Sequence, residues 1–220
     1  GQEGFLAAMC GKPWPGAYLP PSIKPPEDFD YFHELILYDE LSRVGFSSVI
    51  AALTNGPAIA AGPILHFGTE EMKRRVLPDV LLGKKFIALA ISEPQAGSDV
   101  AGMVTTARRE GDHYVLNGNK DLPLSFLPPP PKQKQLEVTT HTHTHTHTYT
   151  HKEMDHKWDN ADYFVAAVRT GGPGQKGMSF LLIEKDTPGF EVRKVKIRDS
   201  DISGTAYLDF DEVTFVTLSL

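Results

Sequence analysis

The chain has 220 residues, of which 40% are hydrophobic and 23% charged, and its formal net charge at pH 7 is −6. This composition is typical of a globular protein of one or two domains with a sizeable core. The acidic balance argues against a general nucleic-acid binder, and the single cysteine, Cys10, excludes a disulfide within these residues. No segment is long and apolar enough to span a bilayer, and the first residues lack the pattern of a signal peptide.

The first 85 residues are predicted to be mostly helical. Residues 1–26 are rich in proline and predict a loop. A helix is predicted after the acidic pair Glu27-Asp28 and should stop at Gly45, because acidic residues suit a helix N-terminus and glycine suits its end. Its apolar residues recur at helical spacing: Phe29, Phe32, Leu35, Ile36 and Leu41.

Two more helical stretches follow in this first region. Residues 47–62 are rich in alanine and predict one or two buried pieces, split at Asn55-Gly56-Pro57. Thr69 can cap a helix that begins at Glu70. Pro78 is predicted to kink or break that helix, because proline lacks the N–H that the helix interior needs.

After Gly83 the apolar pattern shortens and predicts strands. The residues Glu110-Gly111-Asp112 predict a hairpin turn between two of them. No long helical pattern interrupts the strands, so antiparallel pairing is favoured over a parallel sheet. The predicted class is α+β, with a helical domain over residues 1–85 and an antiparallel, β-barrel-like domain over 86–220. The predicted strands cover residues 86–92, 103–109, 113–118, 163–169, 178–184, 190–197 and 205–210.

An anomalous insert over residues 121–157 interrupts these strands. It contains four consecutive prolines and a strict His-Thr alternation, and this composition predicts disorder. Alternate imidazoles can bind metal ions, and a His-rich metal-binding protein is therefore one alternative; without a rigid frame, no physiological metal site is predicted. The alternation also follows from a CA dinucleotide repeat, which favours translated non-coding sequence. The histidines of the run are His141, His143, His145 and His147.

Two glycine-containing segments are candidates for ligand binding. Residues 172–177 fit the pattern G-x-G-x-x-G, but a strand follows where a helix should begin, so a hairpin loop is predicted. Residues 88–120 are more informative: an apolar strand leads to Ser92 and Glu93, and a loop of small residues follows. In that loop Gly97 allows close backbone approach, and Ser98 offers a hydroxyl and an amide to a phosphate or a ring edge. By spacing alone, an ordinary polar turn between strands is the favoured alternative.

The segment SEPQAGSD, followed by a hairpin that ends in NGNK, resembles the acyl-CoA dehydrogenase flavoproteins. Members of that family carry (S/T)EPxAGSD and then NGxK. The resemblance extends back through ELILYDELSRVG and forward through ADYFVAAVRTG and SGTAYLDFDEV. It implies a helical domain followed by a β-barrel-like domain, as the apolar patterns also predict.

The resemblance implies FAD and an acyl-CoA thioester as ligands, in fatty-acid or amino-acid catabolism. The reaction removes a proton from Cα of the thioester and a hydride from Cβ, and the flavin takes the hydride. By position, Leu89, Ala90, Ile91 and Ser92 would line the flavin. Gly97 and Ser98 would meet the diphosphate, and Ser98 would also lie near the thioester.

The chain also departs from the family pattern. NGNK is followed by the insert where the family has a K-W-I-T-N-like run, and Trp158 is the candidate for its flavin-binding tryptophan. The C-terminal helical bundle, which supplies the catalytic base in the family, is expected to be absent. No residue is assigned as the base, and Glu93 is expected to act structurally. The chain is therefore expected to be inactive by itself.

A non-catalytic module that at most binds FAD or a partner is the alternative. For the intact family, the resemblance implies an electron-accepting flavoprotein or oxygen as the oxidant, and a homo-oligomer. Family members work in mitochondria, peroxisomes or bacterial cytoplasm, and the sequence shows no address that chooses among them.

Overall fold

The structure, a computed structural model, describes residues 3–43, 45, 50, 54–121, 161–194 and 206–216. Trp158 lies outside the described residues, as does the predicted insert apart from the backbone of Asp121. Helices come first in the described part and strands follow, which confirms the predicted α+β class and its order. None of the described helices is long and apolar enough to cross a membrane.

The described helices mostly follow the predicted order. Helix α2 begins at Tyr31, later than predicted, because the Asp30 carboxylate accepts hydrogen bonds from the Phe32 and His33 amides and caps the helix there. The predicted apolar residues of α2 do not form a buried face: the exposed fraction of Phe32 is 71%. The helices are α1 (Phe5–Ala8), α2 (Tyr31–Ser42), α3 (Ala61–Phe67) and α4 (Glu70–Leu81), with a 3-10 turn at Gly16–Tyr18 inside the predicted loop and a π-helical turn at Gly56–Ala60.

The predicted break at Asn55-Gly56-Pro57 is wrong. Thr54 and Asn55 are helical, and the π-helical turn Gly56–Ala60 leads directly into α3. Gly56 serves a close approach here, because a Cβ at that position would lie 2.9 Å from the backbone oxygen of Ile87. The glycine lets this helical turn contact the first strand instead of ending the helix.

Pro78 does not break its helix either. Helix α4 begins after Thr69, whose hydroxyl accepts from the Met72 amide as predicted, and it continues past Pro78 to Leu81. A proline in a helix interior costs about 3 kcal/mol. Burial of each large apolar side chain contributes about 1.5–3 kcal/mol, and five on this helix are buried, so packing outweighs the local cost. They are Met72, Val76, Leu77, Val80 and Leu81.

Seven described strands form one curled sheet in the order β1-β4-β2-β3-β7-β6, with β5 also paired to β4. The hairpin predicted at Glu110-Gly111-Asp112 is confirmed, since β2 and β3 pair antiparallel across it. The predicted hairpin loop at residues 172–177 also connects two antiparallel strands. The strands are β1 (Ile87–Ala90), β2 (Thr106–Glu110), β3 (His113–Asp121), β4 (Tyr163–Arg169), β5 (Met178–Glu184), β6 (Phe190–Lys194) and β7 (Ala206–Val216).

Two pairings depart from the antiparallel prediction. β2 pairs with β4 in parallel at a single position, Thr106 opposite Arg169. β1 and β4 pair in parallel, from Ile87 opposite Tyr163 to Ala90 opposite Ala166. A parallel pair needs a long crossover, and more than 70 residues separate these strands in the sequence, so the chain can return in the same direction. Apolar runs alone do not distinguish the two directions.

Strand β4 connects two hydrophobic cores. Its side chains alternate: Tyr163 and Val165 pack with the helices, while Phe164, Ala166 and Val168 face the interior of the curled sheet. β1 alternates in the same way, with Ile87 against the helices and Ala90 in the sheet core. The end of β1 therefore emerges between two packed regions, and the segment that follows starts from a rigid base.

Candidate functional site

The candidate site is the loop that leaves β1 and reaches β2, residues 91–105. Its first turn is closed by two backbone hydrogen bonds, from Glu93 N to Ala96 O at 3.0 Å and from Ala96 N to Glu93 O at 3.1 Å. A 3-10 turn at Val100–Gly102 follows. Ala96 is buried against Met103 and Ala167, so the loop is anchored on the sheet. Between Ala96 and Met103, Gly97 and Ser98 are exposed, whereas Val100 packs against the same cluster.

A buried ion pair lies beneath this loop. Lys120 Nζ, at the end of β3, donates to Glu93 Oε1 at 2.6 Å, and both side chains have an exposed fraction of 0%. Lys120 Nζ also donates to the Ile91 carbonyl at 3.0 Å. Glu93 accepts from the Val104 and Thr105 amides at 2.7 and 3.0 Å. One ion pair thus joins the start of the loop, its end and β3.

The contacts of this pair set the protonation of both groups. Burial by itself raises the pKa of Glu93, but the hydrogen bonds from Lys120 and from the Val104 and Thr105 amides outweigh it and hold that pKa below its ordinary value. Burial lowers the pKa of Lys120, against the opposing influence of the Glu93 carboxylate. Glu93 is therefore a bonded anion with a structural role and is poorly suited to take up a substrate proton at neutral pH.

Arg169 fixes the far side of the loop. Its guanidinium donates to the carbonyls of Ala101 at 2.8 Å and Met103 at 3.1 Å. The same group donates to the carbonyls of Gly172 and Gly174 at 2.8 and 3.1 Å. The candidate loop and the glycine-rich loop after β4 are therefore connected through one side chain at the end of β4.

The predicted site residues fall into two groups. The Ala90 side chain is fully buried in the sheet core, and Leu89 packs against the helical core, so these residues can meet a ligand mainly through their backbone. Ser92 is half-buried, whereas Gly97 and Ser98 are exposed. A Cβ at Gly97 would meet no atom within 4 Å, so its backbone is open to a ligand.

The hydroxyls of Ser92 and Ser98 are available for a ligand, since neither makes a hydrogen bond with the described residues. Ile91 is half-buried and packs beside Ala96 and Met103. The structure thus brings Ser92, Gly97 and Ser98 onto one small loop of hydroxyls and open backbone. Such a loop fits the diphosphate and polar ring edge of a dinucleotide cofactor.

Lys120 and Arg169 were not predicted as parts of the site. A signal for Lys120 was present, because Leu116, Gly118 and Lys120 alternate along β3 and Leu116 is a natural core residue. A lysine on the buried face of a strand requires a buried acidic partner. The sequence does not say which carboxylate that partner is, because Glu93 is 27 residues away.

A hollow of about 410 Å³, separate from the candidate loop, lies between the β2–β3 hairpin and the start of the glycine-rich loop. Two of its polar side chains are already paired: Asn117 donates to Glu212 at 2.8 Å, and Arg108 bonds to Glu110. It is a weaker candidate for that reason. In the part of the chain that the structure describes, no three His, Cys, Asp or Glu side chains are grouped to hold a metal ion.

Comparisons with known proteins show which family this chain is similar to. The family model described as acyl-CoA dehydrogenase, N-terminal domain, matches residues 2–84. Acyl-CoA dehydrogenase apdG of Emericella nidulans is 36% identical over 194 residues, which are 85% of this chain and 36% of that protein. A caffeyl-CoA reductase-Etf complex subunit, CarC of Acetobacterium woodii, is 45% identical over 92 residues, or 41% of this chain and 24% of that protein.

Solved structures are similar as well. A probable acyl-CoA dehydrogenase from Mycobacterium abscessus superposes with a TM-score of 0.59 and 34% identity, over 77% of this chain and 37% of that one. The chain thus spans little more than a third of the length of apdG and of this solved structure. The similarity covers both the helices and the sheet that carries the loop.

Proposed function

The chain belongs to the acyl-CoA dehydrogenase family, and from that premise we propose that it forms the flavin-facing part of an FAD-dependent oxidoreductase. The substrate class is an acyl-CoA thioester, dehydrogenated between Cα and Cβ. One observation carries the proposal: a half-buried Ser92 and the exposed Gly97 and Ser98 lie on one loop. That loop is held from beneath by Lys120 and from the side by Arg169. A site prepared in this way binds without much ordering cost.

Each residue has a distinct role in this proposal. The backbone of Leu89–Ser92 and the Ser92 hydroxyl contact the polar edge of the flavin. The open backbone at Gly97 and Ser98 donates to the diphosphate, and the Ser98 hydroxyl also lies near the thioester. FAD, when bound, accepts the hydride that leaves Cβ. Trp158, which lies outside the described residues, is proposed as a further flavin contact.

The described residues support binding better than proton abstraction. Glu93 is the carboxylate that follows the flavin-facing strand most closely, and its ion pair with Lys120 occupies it. We therefore propose that this 220-residue chain shows no dehydrogenase turnover by itself. Reduction of an electron-acceptor dye by the purified chain with any acyl-CoA would contradict this part of the proposal.

The electron acceptor that we propose is a second flavoprotein. CarC is named as a subunit of an Etf complex, and an electron-accepting flavoprotein is therefore the favoured partner over oxygen. The alternative function, a module that docks a partner without catalysis, is favoured by the apolar residues that α2 exposes. Those with more than half of their surface exposed are Tyr31, Phe32, Leu35 and Ile36.

Titration of the chain with FAD, followed by flavin fluorescence, tests the binding role. We expect saturable quenching, and at least about tenfold weaker binding by the variant Gly97→Val, because the added side chain blocks approach to the loop backbone. Gly172→Val is the matched control, since its Cβ would also meet no atom within 4 Å. The proposal is wrong if the wild-type chain does not bind FAD or if both variants bind it equally well.

A further inference from the structure

The ion pair between Lys120 and Glu93 is unusual in its complete burial. Both side chains have an exposed fraction of 0%, and their charged atoms are 2.6 Å apart. Removing two charges from water is costly, and apolar side chains of similar volume often give equal or greater stability at such a position. Stability alone therefore gives little reason for a charged pair here.

What the pair does provide is a set of directional hydrogen bonds to the loop backbone. Lys120 donates to the Ile91 carbonyl as well as to Glu93, so it orients the backbone just before Ser92. Glu93 accepts from the Val104 and Thr105 amides and so brings the far end of the loop back to its start. Both ends of the segment that exposes Gly97 and Ser98 are held by directional bonds that apolar contacts do not supply.

One side-chain contact of the pair involves an exposed residue, Gln95. The Gln95 side-chain amide donates to Glu93 Oε2 at 2.7 Å, while Gln95 itself is exposed. This bond ties the tip of the first turn to the buried carboxylate. The loop is thus connected to Glu93 at its beginning, at its tip and at its end.

We propose that Lys120 and Glu93 are positioning residues, which hold the loop of residues 91–105 in the one conformation that presents Ser92, Gly97 and Ser98 to the flavin. This inference rests on the proposed FAD-binding role. In this proposal the pair acts through the loop backbone and does not itself contact the cofactor. Its loss should therefore weaken cofactor binding even where folding is retained.

The test compares single and double variants of the full 220-residue chain. Lys120→Met and Glu93→Gln each leave a buried charged group without its opposite charge and should lower the urea midpoint of unfolding. The double variant Glu93→Gln/Lys120→Met removes both charges. We expect its midpoint to recover toward that of the wild type, while FAD binding stays at least about tenfold weaker and the visible circular dichroism of bound flavin changes.

Lys84→Met provides the matched control, because Lys84 lies outside the loop and its ion pair with Asp79, at 3.9 Å, is exposed, so the variant removes a lysine charge without disturbing the buried pair. It should leave FAD binding and the flavin spectrum unchanged.

A folded double variant that binds FAD with wild-type affinity and an unaltered spectrum would overturn the positioning role. If the double variant does not fold, Gln95→Met tests the positioning role instead, since it removes only the hydrogen bond from the Gln95 side chain to Glu93. We expect about threefold weaker binding for it, and unchanged binding refutes the proposal.

Amide hydrogen exchange separates this inference from the proposed function. If the wild-type chain does not bind FAD, the proposed function fails, and exchange in the folded Gln95→Met or double variant still tests the positioning. Faster exchange at Gly97, Ser98, Val104 and Thr105 then supports positioning of the loop by the pair. Exchange identical to that of the wild type contradicts it.

Discussion

Replacement of Gly118 by alanine tests the packing of β3 against the loop. The φ angle of Gly118 is +140°, a conformation that side-chain-bearing residues rarely adopt. A Cβ there would lie 2.6 Å from Thr105 Oγ1 and 2.8 Å from Thr105 Cα. Thr105 is fully buried, its amide bonds to Glu93 and its hydroxyl bonds to the Asn119 carbonyl at 3.1 Å, so it cannot move freely.

The expected cost follows from these contacts. Strain at a backbone conformation that favours glycine costs about 1–3 kcal/mol. Inserting a methyl group into packed surroundings costs about another 1–3 kcal/mol, and moving Thr105 weakens its two hydrogen bonds. We expect Gly118→Ala to lower the free energy of unfolding by about 4 kcal/mol, a large part of the stability of an ordinary domain. Urea denaturation should show a midpoint lower by about 2 M, for a slope of about 2 kcal/mol per M.

Two other glycines separate strain from steric overlap. Gly111 has a φ of +66° but open space around its Cβ position, so Gly111→Ala should cost about 1–2 kcal/mol from strain alone. Gly172 has open space and no positive φ, and Gly172→Ala should change stability by less than about 0.5 kcal/mol. The reasoning fails if Gly118→Ala costs no more than Gly111→Ala.

Three further predictions concern other parts of the molecule. Thr69→Ala should destabilise the chain by about 1 kcal/mol in urea denaturation, because the Met72 amide loses its cap, whereas Thr69→Ser should not. Burial and the nearby Glu34 raise the pKa of the Cys10 thiol to about 12, so its alkylation near neutral pH should be about a thousandfold slower than that of the urea-unfolded chain; equal rates contradict this. Because the pKa of Glu93 is held below its ordinary value, its contribution to the unfolding free energy is present at neutral pH. That contribution should be lost progressively as the pH falls below the ordinary glutamate pKa of about 4.3. Urea midpoints measured across this range should fall less steeply in Glu93→Gln/Lys120→Met than in the wild type.

The strands show which strand bounds the local sequence pattern can predict. β4 and β5 have the predicted bounds, because each is a continuous apolar run delimited by turn residues. β7 extends well beyond the predicted end at residue 210, to Val216, because pairing with β3 continues past a bulge opposite Leu116 and Gly118. Pairing partners lie far apart in the sequence, and a local pattern does not contain them.

The helices show where local signals mislead. Gly56 and Pro78 are ordinary helix breakers in sequence, yet both lie within helical backbone. Gly56 is used for contact with β1, and the buried face of α4 compensates for Pro78. In α2 the apolar spacing predicted the helix correctly, but none of its apolar side chains is buried in the described part of the chain.

The candidate site also has features that the local sequence determines and others that depend on the fold. The sequence itself determines the loop: an apolar strand that leads to Ser92, a turn at Pro94 and an open segment of small residues at Gly97 and Ser98 follow from local chemistry and match a known family motif. The strand itself ends two residues earlier than predicted, at Ala90. The tertiary structure decides what holds that loop. Lys120 lies 27 residues from Glu93 and Arg169 lies 66 residues from Met103, and only the folded sheet brings them together. Hydrogen bonds and ion pairs act over a few ångströms in space, so the groups that position a site are assigned by the fold and not by their order along the chain.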